Sequence, residues 1–167
     1  NVMNVWVGPI DNPAAAKPVT KDTKRGIRSY FWSYTNKHIL YVQDEGGDEN
    51  WHVYAVQVSS QSVKDLTPYK NVAAQIEGVS HRVPGELLVG LNDRDPQVHD
   101  LYRVNIASGE RKLVEKNEQG FMGYTTDEDL RVRFASRYSP AGGREILQPD
   151  VGLHRGIREH LLHAGHA

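Results

Sequence analysis

Cysteine is absent from this chain of 167 residues, and neither sign of charge dominates. The lack of cysteine excludes disulfides, thiolate metal sites and cysteine nucleophiles, and it fits a reducing compartment. Because 20 Lys and Arg residues face 21 Asp and Glu residues, no strong field would collect nucleic acid or an anionic membrane. No apolar run reaches the length of a membrane span, and no signal peptide is recognised at the start. We therefore expect a cytoplasmic protein with no nucleic-acid and no membrane partner.

Glycine and proline are well represented, with 15 and 8 residues spread along the chain, which suits short strands joined by turns. A repeat organises these strands. Its aromatic anchors, Trp6, Tyr54 and Tyr102, lie 48 residues apart. A second set of apolar residues closes each unit at a spacing of 47, at Val19, Leu66 and Leu113. A fixed period of this length indicates a repeat architecture in which successive units stack.

Each complete unit contains four short strand patterns, which is typical of a β-propeller blade. In the second unit these are "IRSYFWSY", "KHILYVQD", "WHVYAVQV" and "VKDLTP". The predicted fold is all-β: a partial propeller of about three four-stranded antiparallel blades, of the WD-like or TolB-like type, with a short C-terminal helix. The propeller should span residues 1–149 and a divergent helical tail residues 150–167. Within the propeller the repeats fall near 1–20, 27–68, 73–116 and 119–149.

Longer segments carry a more specific resemblance. "TKRGIRSYFWSYTNKHILYVQDEGGDENWHVYAV" and "LLVGLNDRDPQVHDLYRVNIASGE" resemble the N-terminal propeller of prolyl oligopeptidase family serine peptidases, in particular the dipeptidyl- and acylaminoacyl-peptidase-like subgroup. The resemblance covers nearly all of the chain up to Pro149. In that family the propeller caps a separate α/β-hydrolase domain and filters the peptides that reach a Ser-His-Asp triad. The resemblance therefore implies a non-catalytic, substrate-gating module.

A catalytic site is not predicted in this segment. The Gly-x-Ser-x-Gly elbow that exposes a hydrolase nucleophile does not occur, and the βαβ succession of the hydrolase fold is missing. Ser80, His81 and Asp93 are the scattered residues from which a triad would have to be assembled. We predict no catalytic, cofactor-binding or metal-binding residue, and no cofactor.

Two charged loops have structural and functional interpretations. Asp44, Glu45, Asp48 and Glu49 form an oxygen-rich loop, but it lacks the alternating ligand order of a calcium loop, so an acidic turn is favoured. The run Asp93-Arg94-Asp95 favours an internal salt bridge that fixes its loop over substrate recognition.

Basic and aromatic residues meet at the second unit. A basic run of four residues lacks the aromatic pattern of RNA binding: Lys21, Lys24, Arg25 and Arg28. Four aromatic residues occupy the predicted innermost strand: Tyr30, Phe31, Trp32 and Tyr34. We expect most of these rings in the core between blades, and one or two in a central channel where they would contact peptide.

The tail departs from the family pattern. Ile157, Leu161 and Leu162 give a short amphipathic helix. His160, His163 and His166 recur every third residue, whereas a helical zinc site uses a spacing of four, so a solvated helix end is favoured.

Three functions remain open after this reasoning. The first is a non-catalytic propeller that acts through binding or self-association. The second is a part of a serine peptidase whose catalytic domain is missing or supplied separately, which a serine-directed phosphonate would reveal. The third is a Ca²⁺ or Zn²⁺ module, which would show a metal-dependent melting shift.

Counting strands predicts self-association. The sequence pattern gives two opening strands, two four-strand blades and two final strands, and "REILQPD" is the candidate for one more. Both ends of the array would therefore expose unpaired backbone groups. Two copies would close a six-bladed ring if each chain's final strands completed the other's opening blade. The rival is a monomeric arc whose edges are blocked by the tail helix and by Arg131 and Arg133. Light scattering should give the mass of two chains at micromolar concentration, and the mass of one chain would contradict ring closure.

Overall fold

Four antiparallel sheets follow one another along the chain in this computed structural model, which describes residues 2–149. They contain two, four, four and three strands, and a three-residue 3-10 helix at Pro13–Ala15 lies inside the first. The all-β propeller fold predicted from the sequence is confirmed. The predicted tail helix and its three histidines, His160, His163 and His166, lie outside the described residues. Within residues 2–149 no helix is long and apolar enough to cross a bilayer.

Each sheet is built from strands that are consecutive in sequence and paired with their neighbours, as in a propeller blade. The first sheet contains β1 (Trp6–Val7) and β2 (Lys17–Pro18). The second contains β3 (Ser29–Trp32), β4 (His38–Gln43), β5 (His52–Gln57) and β6 (Ser62–Asp65). The third contains β7 (Ala74–Val79), β8 (Glu86–Asp95), β9 (Val98–Asn105) and β10 (Arg111–Glu115). The fourth contains β11 (Gly123–Thr126), β12 (Val132–Tyr138) and β13 (Arg144–Leu147).

The three aromatic anchors occupy equivalent positions on the third strand of successive blades. Trp6 pairs with Pro18, Tyr54 with Asp65 and Tyr102 with Leu113, so the strand register confirms the equivalence. Their burial differs. Trp6 is 60% exposed, whereas Tyr54 and Tyr102 are partly buried. The three aromatic residues therefore occupy equivalent positions of the repeat but do not form the centre of the core.

The closing apolar residue was predicted correctly in two units and wrongly in the third. Val19 and Leu66 follow the fourth strand of their sheets and are 4% and 0% exposed. Leu113 instead lies opposite Tyr102 and is 48% exposed. A break in register between Leu113 and Glu115 shifts this strand by one residue, which the sequence spacing alone does not reveal.

The main core lies between the second and third sheets. It is formed by alternate residues of central strands, which project from one face of each sheet: Leu40, Val53, Ala55, Leu87, Val89 and Val104, joined by Leu66 and Leu91. A second cluster joins the first two sheets, and Leu88, Leu101 and Leu130 link the third sheet to the fourth. Each blade is thus held by its neighbours, as expected of a repeat protein.

The last sheet has three strands. The sequence pattern predicted two of them and named one further candidate segment. The segment "REILQPD" contributes β13, which pairs with β12 from Ala135–Leu147 to Tyr138–Arg144. Leu147 is fully buried against Phe121, so this strand is well anchored. β13 occupies the third-strand position that the β1 strand of a second copy would need in the closed ring. The homodimer stays a prediction, and closure of its ring would require β13 to be displaced from that position.

Recurrent polar contacts tie the start of each third strand to the segment that leaves the blade. In the first blade the Thr20 hydroxyl accepts the Val5 N–H and donates to Asn4, and in the second the Thr67 hydroxyl accepts the Val53 N–H. The third blade uses Asp100, whose carboxylate accepts the Asn117 N–H at 2.8 Å. Equivalent threonines therefore accept from the third strand in the first two blades, whereas in the third blade the third strand supplies the acceptor.

Arg94 forms a salt bridge, but not within the Asp93-Arg94-Asp95 run. Its guanidinium makes two 2.8 Å bonds to the carboxylate of Asp100 and a third to the Asn117 carbonyl oxygen. Asp93 instead accepts from Arg111 at 2.7 Å, and the Arg111 guanidinium lies over the rings of Tyr69 and Tyr102. The Arg94–Asp100 pair crosses the β8–β9 hairpin, whereas the Arg111–Asp93 pair joins residues 18 positions apart.

The substitution Asp100→Asn should lower the free energy of unfolding by about 1–3 kcal/mol at neutral pH, because it weakens a charged network around a residue that is 2% exposed. Burial by itself would raise the pKa of Asp100, but the bonds from Arg94 and Asn117 outweigh it and lower that pKa. The contribution is therefore complete above about pH 4 and is lost as the pH falls through the lowered pKa. Urea titrations of both proteins at several pH values measure it.

The control is Asp11→Asn, since Asp11 is exposed and should change stability by less than about 0.5 kcal/mol. A difference between wild type and Asp100→Asn that persists undiminished at pH 2 would contradict the charged origin of the effect.

Candidate functional site

The first strands of the blades, β3 and β7, border a groove of about 790 Å³. Apolar side chains form much of its wall, in particular Phe31, Val42, Trp51 and Ile76. Polar groups are few and come mainly from Ser29, Gln75, Glu77 and His99. A concave, largely apolar surface with a small number of polar groups is the usual form of a ligand site.

A β-bulge places Glu77 in this groove. In the third blade Ile76 pairs with Val89 and Gly78 with Leu88, so Glu77 is an extra residue between two pairs. The second blade has no such insertion, since Tyr30 pairs with Tyr41 and Phe31 with Leu40. A bulge turns the side chain of the extra residue away from the regular alternation and is common beside functional sites.

The carboxylate of Glu77 is partly buried and has no cationic partner among residues 2–149. Its one hydrogen bond is a long one, 3.5 Å from the Tyr124 backbone N–H. Burial raises the pKa of Glu77, and the bond from Tyr124 opposes this only in part. An anionic group held in this way gains stability from any cation that enters the groove.

Gly90 provides the space in which the polar groups of the groove meet. A Cβ atom at this position would lie 3.1 Å from His99 Cβ, 3.2 Å from Gln75 Cγ and 3.4 Å from Glu77 Oε1. Burial lowers the pKa of His99, although its bond to the Ala73 carbonyl oxygen acts in the other direction. His99 is therefore expected to be neutral at pH 7, so that it leaves the Glu77 charge uncompensated.

A smaller cavity of about 260 Å³ continues the groove, because Ser29, Val42 and Trp51 line both. Two arginines lie at this end. Arg25 binds the buried carboxylate of Asp44 through two nitrogens, at 2.8 and 3.2 Å. Arg28 is exposed and makes no ion pair or side-chain hydrogen bond in the part of the chain that the structure describes. The basic run is thus divided between a structural arginine and a free one.

The aromatic residues of β3, and Tyr34 just after it, are arranged differently from the prediction. Phe31 packs against the main core, but Tyr30, Trp32 and Tyr34 are 55%, 51% and 51% exposed. Strand alternation explains this, because Tyr30 and Trp32 pair with Tyr41 and Ile39, which face the first sheet. That sheet supplies only two strands, so the inner part of this face has no cover within residues 2–149.

The scattered residues considered for a triad are not brought together. The Ser80 hydroxyl is buried and donates to the Glu128 carboxylate at 2.9 Å, and His81 Nδ1 lies 3.1 Å from the same carboxylate. Glu128 therefore stands between the serine and the histidine, whereas a triad requires the histidine to contact the serine oxygen. Asp93 is bound to Arg111 in another part of the blade.

The acidic loop of the second blade is bound internally. Asp44 is 4% exposed and pairs with Arg25, while Asp48 accepts the backbone N–H groups of Glu45 and Asn50. Lys24 lies 3.8 Å from Glu45 at the surface. Across the described residues no group of three or more His, Cys, Asp or Glu side chains is arranged to hold a metal ion.

Sequence reasoning missed Glu77, Gln75, Gly90 and His99. One signal was present for the bulge: Tyr30 and Ile76, which are equivalent, lie 46 residues apart, but Trp32 and Val79 lie 47 apart. The change in spacing marks an inserted residue between Ile76 and Val79, in a strand that carries two polar side chains, Gln75 and Glu77.

Two named peptidases match this chain. It is 52% identical over 147 residues to dipeptidyl aminopeptidase BIII from Pseudoxanthomonas mexicana, which covers 88% of the chain and 21% of that protein. It is 31% identical over 140 residues to dipeptidyl peptidase family member 6 from Caenorhabditis elegans, which covers 80% of the chain and 19% of that protein. The chain spans about a fifth of the length of these curated relatives. No model of a known protein family matches it.

Among solved structures, TolB from Acinetobacter baumannii matches 90% of the chain, and 36% of its own, with a TM-score of 0.55 at 13% identity, which supports the fold alone. Fold and groove thus define a β-propeller segment with an open inner surface. The relatives specify its kind, since they confirm the resemblance to dipeptidyl peptidases. The chain is a propeller segment related to this group of peptidases.

The substitution Glu77→Gln should raise the melting temperature at pH 7 by about 1–3 °C, because it removes a partly buried, unpaired charge. The folded pKa of Glu77 is raised, so folding loses stability as the pH rises through that pKa. The gain should therefore be present at neutral pH and vanish below about pH 4, where the carboxyl is protonated in both states. Differential scanning calorimetry at pH 7 and pH 3.5 measures it. A melting temperature that falls at pH 7 would show that Glu77 has a structural partner.

Proposed function

We propose that this chain is a non-catalytic, peptide-binding part of a propeller in a dipeptidyl-peptidase-like protein. One observation carries the proposal: a β-bulge presents the unpaired carboxylate of Glu77 in an apolar groove between two inner strands. The groove would bind a peptide, and Glu77 would bind the α-ammonium group at its start.

The walls of the groove suit the rest of a peptide. Phe31, Trp51 and Ile76 offer apolar and aromatic surface for side chains. Among residues 2–149 the inner strands β3 and β7 each have a free edge, since each is the terminal strand of its sheet. Free edges offer backbone N–H and C=O groups to an extended chain, which is a common mode of peptide recognition.

The electrostatics favour an ammonium group over a neutral one. A cation within about 4–6 Å of Glu77 would stabilise its charged form and lower its raised pKa. Burial of the carboxylate in the groove costs free energy, and a bound cation would offset that cost. Such a site discriminates against peptides with a blocked amino end, because the carboxylate would then be buried without a partner.

The proposal of a non-catalytic role is supported by the arrangement of the serine and histidine side chains that hydrolysis would need. A serine nucleophile requires an adjacent base and an oxyanion hole as one unit. Ser80 and His81 are separated by Glu128, and Ser80 is only 2% exposed. The second candidate function, a part of a peptidase whose catalytic residues lie elsewhere, is favoured by the names of the relatives. Labelling of a serine in this chain by a serine-directed phosphonate would contradict both the non-catalytic role and this second candidate.

A pentapeptide with a free amino end and apolar first residues should bind the purified chain and quench Trp51, which lines the groove. Glu77→Gln should weaken binding about tenfold, close to 1.4 kcal/mol, because an ion pair in a desolvated site is lost. Titration calorimetry gives the dissociation constants, and mass spectrometry should recover the peptide intact.

The matched control is Glu110→Gln, which removes an exposed carboxylate in a hairpin of the third blade and should leave affinity unchanged. Absence of binding by the wild type, or equal binding by Glu77→Gln, would overturn the proposal. Hydrolysis of the peptide would overturn its non-catalytic part.

A further inference from the structure

The groove has a charged group of opposite sign near each end. Glu77 lies in the larger cavity and Arg28 in the smaller one, and the two cavities share Ser29, Val42 and Trp51. Both charged groups lack an ionic partner among the described residues. The surface between them is largely apolar. A ligand that matches this pattern carries a cation and an anion separated by an apolar body.

The strand register gives the offset of the two residues along the strand direction. Ser29 pairs with Val42, and Gln75 pairs with Gly90 at the equivalent place in the next blade, so Arg28 is level with Ala74. Glu77 comes three residues after Ala74. At about 3.3 Å per residue, the backbones of Arg28 and Glu77 are offset by about 10 Å along the strands. Two or three extended residues of a peptide span about this distance between their ends.

We propose that the groove selects short peptides that are free at both ends, and that Arg28 binds the α-carboxylate. The inference rests on the proposed function, in which Glu77 binds the α-ammonium group. It adds a second anchor and thereby a preference for peptides short enough to reach both. A longer peptide would place a neutral amide, rather than a carboxylate, beside the guanidinium.

The chemistry of Arg28 fits this role better than that of its neighbour. A guanidinium binds a carboxylate through two parallel hydrogen bonds, which adds geometric selectivity to the charge. Arg25 already uses this geometry on Asp44, so it is not available to a ligand. Arg28 keeps all its donors free in the described part of the chain and lies one residue before the inner strand β3. The size of the groove, about 790 Å³ with a 260 Å³ extension, is that of a small-molecule site.

The test uses one tripeptide, Ala-Phe-Leu, in four forms: free at both ends, acetylated, amidated, and blocked at both ends. Titration calorimetry at low salt gives the dissociation constants for the wild type, Arg28→Gln and Glu77→Gln. We expect amidation to weaken binding to the wild type about tenfold. Arg28→Gln should weaken the free peptide by a similar factor and leave the amidated one unchanged, because the two changes remove the same contact. Acetylation should likewise weaken binding to the wild type. Glu77→Gln should weaken the free peptide and leave the acetylated one unchanged, because these two changes also remove the same contact.

Lys112→Gln is the matched control, since it removes an exposed cation from strand β10, away from the groove. Arg28 is itself exposed, so its replacement should leave the melting temperature unchanged. Arg28→Lys should restore part of the affinity, because it returns the charge without the two-pronged geometry.

The outcomes separate this inference from the proposed function. Equal affinity for amidated and free peptides, or an equal loss on both with Arg28→Gln, overturns the role of Arg28 and leaves peptide binding intact. Equal affinity for all four forms overturns both anchors and leaves an apolar groove. No binding of any form overturns both proposals.

Discussion

The structure depends on the packing of neighbouring sheets through apolar faces that no single sheet can bury alone. Leu40 and Val53 of the second blade are fully buried only because Leu87 and Val89 of the third lie against them. The hydrophobic term is of order 1.5–3 kcal/mol for each such side chain, and it is gained between repeats rather than within one. The position of every inner strand, and with it the groove, follows from this stacking.

Polar contacts then fix the segments that connect the blades. Thr20 and Thr67 accept N–H groups at the start of the third strand, and Asp100 of the third strand accepts the Asn117 N–H that follows the fourth strand. A buried N–H without a partner would cost more than a typical hydrogen bond contributes, so the position needs an acceptor rather than a particular residue. The junction is therefore closed in each blade, although the third blade uses a different pair of groups.

The groove contains one partly buried charged group that lacks a cationic partner in the described residues. Glu77 is an inserted, partly buried carboxylate with no cation near it in the described residues, and Gly90 leaves room for it. A local feature that lowers stability persists where it serves binding, since the site must be ready for its ligand. The free Arg28 at the far end belongs to the same surface, whereas the other arginine of that end, Arg25, serves the fold.

The amino-acid sequence by itself determined the repeat, the strand order within each blade, the lack of a nucleophile elbow and the resemblance to peptidase propellers. These properties depend on local alternation, turn residues and spacing, which are legible along the chain. Only the tertiary structure decided that Arg94 binds Asp100 rather than Asp93, that Trp32 is exposed, and that a bulge turns Glu77 into the groove. Pairing, burial and register are set by segments many residues away, and a shift of one residue changes the face on which a side chain lies.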